Sequence, residues 1–207
     1  LTRKKQYAQS IIVAGFNGYS QLFENSTSDV EQPQNLSIDP SSLLSYSVYS
    51  SHAVIVKKNG QLLGAGYNDD GRISSKLPKQ RISHFTEFSI NDRDGSNLVP
   101  VSAVCSYHGT LYKFTKSSSK CSQLVLCDLR INSGDPIYLD ICGNEPLSLF
   151  GGNTYVAAIS SEGEVILINS DSIKNCPSSR IPSFSLPDGE KATSVAFCNK
   201  LLIALSS

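Results

Sequence analysis

The sequence has no long hydrophobic run. Near its start the longest is 11–14, too short for a signal h-region or a membrane span. It also lacks a charge excess. Lys plus Arg and Asp plus Glu stand at 18 each, and the basic clusters Arg3-Lys4-Lys5 and Lys57-Lys58 are short. Phosphate neutralisation needs a basic surplus gathered on one face, so nucleic-acid binding is not expected. Clusters this short read as solvated loop or strand-end charge.

Cysteine pairing signals are missing as well. Cys105, Cys121, Cys127, Cys142, Cys176 and Cys198 form no C-x-x-C pair and have no histidine at zinc spacing, which reads as free thiols in a reducing, intracellular compartment, cytoplasmic or nuclear. Asn25-Ser26-Thr27 and Asn35-Leu36-Ser37 fit the glycosylation acceptor pattern. In a chain rich in Ser and Asn they are not taken as secretion signals. There is no G-x-S-x-G, no G-x-x-x-x-G-K-[ST], no H-E-x-x-H and no EF-hand loop. Asn91-Asp92-Arg93-Asp94-Gly95 starts like a Ca²⁺ loop but lacks the distal glutamate, and reads as a polar inter-strand loop. No catalytic, cofactor-binding or metal-ligating residue is assigned, and no cofactor is expected.

What the sequence does contain is a repeat. Gly15-Phe16-Asn17-Gly18-Tyr19-Ser20-Gln21-Leu22 aligns without a gap on Gly66-Tyr67-Asn68-Asp69-Asp70-Gly71-Arg72-Ile73, 51 residues further on. Each copy follows a short apolar strand, at 11–14 and 62–65. Ahead of the second copy, His52-Ala53-Val54-Ile55-Val56 leads through an Asn59-Gly60 turn into Leu62-Leu63. Asn-Gly between apolar runs signals a hairpin, read here as a type I′ turn. The element recurs at 155–166 with Glu162-Gly163 as its turn. Val104 to Tyr112 carries what reads as the same turn at Gly109, and a last copy runs from Val195 through Ser206. The one helical turn expected is at Pro40-Ser41-Ser42-Leu43-Leu44. Segments 20–45 and 78–100 are longer than a hairpin needs and read as long loops, where binding usually resides.

Units of about 50 residues, each holding several short strands, are the pattern of a β-propeller. A β-sandwich accounts for evenly spaced strands but not for a gapless motif recurring at 51 residues. The units are placed at about 11–60, 61–122, 123–165 and 166–207.

Gly-x-Asn-x-x-Gly-Gln-Leu, followed by His-x-x-x-aliphatic and an Asn-Gly or Asp-Gly turn, resembles the repeat of the regulator of chromosome condensation family. The likeness is sharp in the first two units, where Ser20 stands in the family's glycine position. It fades in the third, with Asp128-Leu129-Arg130-Ile131-Asn132, and in the fourth, with Asn169-Ser170-Asp171. The resemblance implies a propeller of about seven blades, of which this chain would supply an incomplete set of about four. The remaining blades, and any further domain, are expected beyond Ser207. It also implies that His52 is a packed, hydrogen-bonded residue, not a catalytic one. His84 and His108 read as surface or strand-end residues.

The expected function is therefore a non-catalytic protein-interaction scaffold with a protein partner and no membrane. The alternative is a guanine-nucleotide exchange factor for a Ran-like small GTPase, as some members of that family are. Chromatin binding is the weaker reading because the chain is neutral. A hydrolase or lyase propeller is disfavoured by the want of convergent titratable residues.

Overall fold

The computed structural model describes residues 10–22, 25–116, 122–128, 135–139, 146–153, 155–168, 183–198 and 201–206. Its strands run β1 (Ile12–Gly15), β2 (Val30–Asn35), β3 (Leu43–Val48), β4 (His52–Lys57), β5 (Leu62–Gly66), β6 (Ile82–Phe88), β7 (Leu98–Cys105) and β8 (Gly109–Lys116). They continue as β9 (Ser122–Asp128), β10 (Ile137–Leu139), β11 (Pro146–Gly151), β12 (Val156–Ser160), β13 (Val165–Ile168), β14 (Ser183–Phe184), β15 (Ala192–Cys198) and β16 (Leu201–Ser206). Three four-stranded antiparallel meanders result: sheet I (β3 to β6), sheet II (β7 to β10) and sheet III (β11 to β14). Two-stranded sheets, β1–β2 and β15–β16, flank them. No helix among the described residues is long and apolar enough to cross a membrane.

Strand periodicity explains the stacking. Successive side chains of a strand point to opposite faces, and in the second strand of each sheet both faces are covered. Leu111 packs toward sheet III beside Val156 and Ile166, whereas its neighbour Tyr112 packs toward sheet I beside Ile73 and Phe88. Val156 and Ala158 face sheet II, while Ala157 and Ile159 face β15–β16. Val13, Leu22 and Val30 close a further layer against Tyr46 and Phe85 of sheet I. Each fully buried Val, Leu or Ile in these layers contributes roughly 1.5–3 kcal/mol. The first strands stand side by side in chain order, β3 against β7, β7 against β11 and β11 against β15. Ser47 Oγ accepts the Cys105 N–H at 2.9 Å across the first of these contacts. Radially stacked four-stranded meanders with adjacent first strands are the blades of a propeller.

Three readings of the sequence are corrected. Asn59-Gly60 is not a type I′ turn. Only Gly60 has positive φ, 85°, and its N–H donates to the Lys57 carbonyl at 3.0 Å. This is a type I turn closed by a left-handed glycine, and Gly163 repeats it with φ 81° and a 3.0 Å bond to the Ser160 carbonyl. Gly109 does not belong to that hairpin turn at all. It opens β8 after the β7–β8 turn, the counterpart of Tyr49–Ser51 between β3 and β4. Its φ is not positive; glycine is required because a Cβ there would overlap the Cys127 backbone carbonyl of β9. Finally, the presumed long loops contain strands. Segment 20–45 holds β2, a 3-10 turn at Pro40–Ser42 capped by Asp39, and the start of β3; segment 78–100 holds β6 and the start of β7. β2 and β6 are outer strands, so they lack the apolar alternation of the inner ones, and β2 accommodates Pro33 because an edge strand does not need every N–H.

Cys105, Cys127 and Cys198 are free thiols; Cys121, Cys142 and Cys176 lie outside the described residues, as do Arg3-Lys4-Lys5, Leu129 to Asn132 and Asn169 to Asp171. The Asn91–Gly95 segment forms a tight turn in which Asp92 pairs with Lys116 at 2.7 Å.

Candidate functional site

The repeat motif builds one end of the blades. Asn17 and Asn68 are both fully buried, and each does the same work. Asn17 Oδ1 accepts the Leu22 N–H at 2.8 Å and Asn68 Oδ1 accepts the Ile73 N–H at 2.9 Å; their Nδ2 groups donate to the Ser26 and Ser74 carbonyls at 3.0 Å. One side-chain amide thus satisfies backbone groups that the sheet has left behind. Gly15 (φ 109°) and Gly66 (φ 104°) turn the chain out of the strand into this loop.

Four positions on, the loops reach forward to the next blade. Gln21 Nε2 donates to the Ser50 carbonyl in the β3–β4 turn at 2.9 Å. Its counterpart Arg72 donates from Nη1 to the Tyr107 carbonyl in the β7–β8 turn at 3.1 Å and to Ser51 Oγ at 2.9 Å. Asp70 accepts from Arg72 Nε and Nη2, a two-point pair that fixes the guanidinium plane. The guanidinium carbon lies 4.6 Å from the centre of the Tyr67 ring.

Beneath this lies His52, fully buried in β4. Nδ1 is 3.2 Å from Ser51 Oγ and Nε2 is 3.0 Å from Thr110 Oγ1, whose hydroxyl donates to the Arg72 carbonyl at 3.0 Å. Because Thr110 spends its hydrogen on that carbonyl, Nε2 is the protonated nitrogen and Nδ1 accepts from Ser51. Desolvation, reinforced by the nearby Arg72 charge, pushes the imidazole pKa down to about 3. His52 is therefore a neutral structural group. Burial likewise pushes the Cys105 and Cys127 thiols up to about 12, which removes both as thiolate nucleophiles. His84 is exposed in β6, and His108 packs edge to face on Tyr107 at 4.9 Å between ring centres.

Above the clasp, Phe16, Tyr19, Ser50, Ser51, Tyr67, Arg72 and Tyr107 line an open cleft of about 410 Å³. Phe16, Tyr19 and Tyr107 are 53%, 37% and 50% exposed. The rings stand edge to face, Phe16 to Tyr19 at 5.9 Å and Tyr19 to Tyr67 at 5.4 Å between centres. Sequence reasoning quoted Phe16 and Tyr67 only as repeat positions and missed the cleft. The available signal was four aromatic residues lying in turns, just past the strands that bury their neighbours.

These blades, with loops of successive sheets clasped at one end, define a β-propeller. Its fold is that of the regulator-of-chromosome-condensation repeat propeller. Human WBSCR16 superposes with a TM-score of 0.71 at 14% identity over 97% of this chain and 54% of its own. Prp20p of Saccharomyces cerevisiae, in a structure titled for its binding to Gsp1p and histones, gives 0.62 at 11% identity over 90% and 48%. Yeast RCC1 (Prp20) bound to Kap60 gives 0.58 at 10% identity over 90% and 46%. The chain spans about half the length of these structures. No family model and no curated protein matches the sequence.

Proposed function

We propose that the chain is a non-catalytic scaffold that binds a protein partner through the loop end of its blades, centred on the aromatic cleft. The observation that carries this reading is the exposure of Phe16, Tyr19 and Tyr107 around one cleft, on loops rigidly tied to neighbouring sheets. Tyrosine and phenylalanine on a rigid base give large contact area at low entropic cost, the property of binding hot spots. The charged group lining the cleft, Arg72, spends its hydrogen bonds within the fold, and His52 is neutral, which supports binding in preference to acid–base chemistry.

A second reading, exchange of guanine nucleotide on a Ran-like GTPase, is favoured by the likeness to Prp20p, whose structure is titled for binding to Gsp1p. Two measurements separate the readings. Affinity purification of the full chain beside its Tyr19→Ser/Tyr107→Ser variant tests the cleft: the scaffold reading expects a discrete partner lost from the variant, and an unchanged set of partners contradicts it. Release of labelled GDP from a panel of small GTPases tests exchange; acceleration of any one favours the second reading.

A further inference from the structure

The cleft combines two features whose joint chemistry is specific. Its walls are aromatic: Tyr19 meets Phe16 at 76° and Tyr67 at 63°, edge to face, so consecutive rings stand nearly perpendicular. One of these rings, Tyr67, already holds a guanidinium against its face at 4.6 Å, that of Arg72. The fold itself thus demonstrates the attraction of this ring for a cation. The charge of Arg72 does not repel a second cation, because Asp70 balances it through both carboxylate oxygens.

The charge left beside Tyr67 is negative. Asp69, between Tyr67 and Asp70 in the chain, is exposed and has no ion-pair partner among the described residues. Its charge acts on the Tyr67 phenol, which desolvation and then Asp69 and Asp70 hold above its ordinary pKa, so the ring remains neutral. Among the described residues, Arg72 is the one cationic residue lining the cleft. Aromatic walls with an uncompensated carboxylate close to one of them, Tyr67, fit a group that is flat or alkylated on its sides and positive at its end.

We infer that the cleft seats a cationic side chain, an arginine or lysine presented by the partner protein, with its charge between the Tyr19, Tyr67 and Tyr107 rings and the Asp69 carboxylate. This rests on the scaffold reading above and names the chemistry the partner brings. A proline-rich segment, which also favours tyrosine-lined grooves, lacks the charge that Asp69 would meet.

The test is titration of the full chain with N-acetyl-arginine-N-methylamide and its lysine analogue. N-acetyl-norleucine-N-methylamide and a capped tetraproline serve as uncharged comparisons, followed by backbone amide shifts of Tyr19, Tyr67, Asp69 and Tyr107. The arginine and lysine probes are expected to shift these amides saturably. Asp69→Asn, at an exposed position that leaves the clasp intact, is expected to weaken them by about three- to tenfold, and Tyr19→Ala similarly. Norleucine or tetraproline binding as well as arginine, or an Asp69→Asn variant that binds as the parent does, overturns the inference. So does absence of arginine and lysine binding when the Tyr19→Ser/Tyr107→Ser variant still loses its protein partner; the scaffold reading then survives alone.

Discussion

Arg72 and His52 are joined twice, once through each end of the arginine residue. The guanidinium donates to Ser51, which donates to His52 Nδ1; His52 Nε2 donates to Thr110, whose hydroxyl returns to the Arg72 carbonyl. The circuit has one donor for each acceptor. A second proton on His52 would turn Nδ1 into a donor, so the Ser51 hydroxyl loses its acceptor there and a second positive charge is placed beside Arg72, and protonation breaks the circuit.

This sets the pH dependence of stability. The folded imidazole has its pKa depressed to about 3 from the ordinary 6.5, so between those values the unfolded chain takes up a proton that the folded chain refuses. The stabilisation is complete above pH 6.5 and is lost as pH falls toward 3, by at most about 1.4 kcal/mol per pH unit. Urea unfolding from pH 7.5 to 4 is expected to show the parent losing on the order of 3 kcal/mol more than His52→Gln. Parallel curves would show that His52 is not the titrating group.

The forward clasps should differ in strength. Arg72→Ala removes charge-assisted bonds to Ser51, the Tyr107 carbonyl and Asp70 and is expected to cost about 2–4 kcal/mol. Gln21→Ala removes neutral bonds to the Phe16 and Ser50 carbonyls and should cost about 1–2 kcal/mol. Chemical denaturation of both variants checks the order; a reversed order contradicts the assignment.

Ser20 and Gly71 occupy the same repeat position, and both have positive φ, 63° and 78°. Gly71→Ala is expected to destabilise by about 1–2 kcal/mol. Ser20→Gly is expected to be near neutral, since relief of a similar strain is offset by loss of the 2.7 Å bond from Ser20 Oγ to the Ser26 carbonyl. Thermal melts of the two variants decide this, and a Ser20→Gly gain above about 1 kcal/mol would show that the hydroxyl bond is idle.

The propeller was legible where apolar runs met turn residues. Val54 to Val56 and Leu62-Leu63 around Gly60 announce a hairpin, and Gly15 and Gly66 announce the repeat. The outer strands were not legible, because β2, with Glu31, Gln32, Pro33 and Gln34 exposed, carries no period. Gly109 misled because two different causes, positive φ at Gly60 and backbone crowding at Gly109, select the same residue. Arg72 was hidden by its alignment with Gln21: the two share a task but not a chemistry. The cleft arises only when four loops from three sheets converge, which no local pattern encodes.

β16 differs from its counterparts. β4 and β12 are buried on both faces except at Lys57, whereas Leu201, Ile203 and Leu205 of β16 are 59%, 50% and 60% exposed on one face. An apolar face of this kind beside a free strand edge promotes association. The 207-residue chain by itself is expected to bind a hydrophobic dye and to self-associate, and Leu201→Ser/Ile203→Ser/Leu205→Ser should suppress both without lowering the unfolding midpoint. A sharply melting monomer that binds no dye contradicts this.

Site-specific photocrosslinking tests the binding role most directly. A benzophenone amino acid placed at Tyr107, at the cleft, is compared with one at Asn59, in the β4–β5 turn at the opposite end of sheet I. Irradiation of the full chain in its native cell is predicted to give a discrete protein adduct from position 107, competed by the unlabelled chain, and none from position 59. An adduct from position 59 with none from position 107 would contradict the assignment of the loop end as the partner-binding surface.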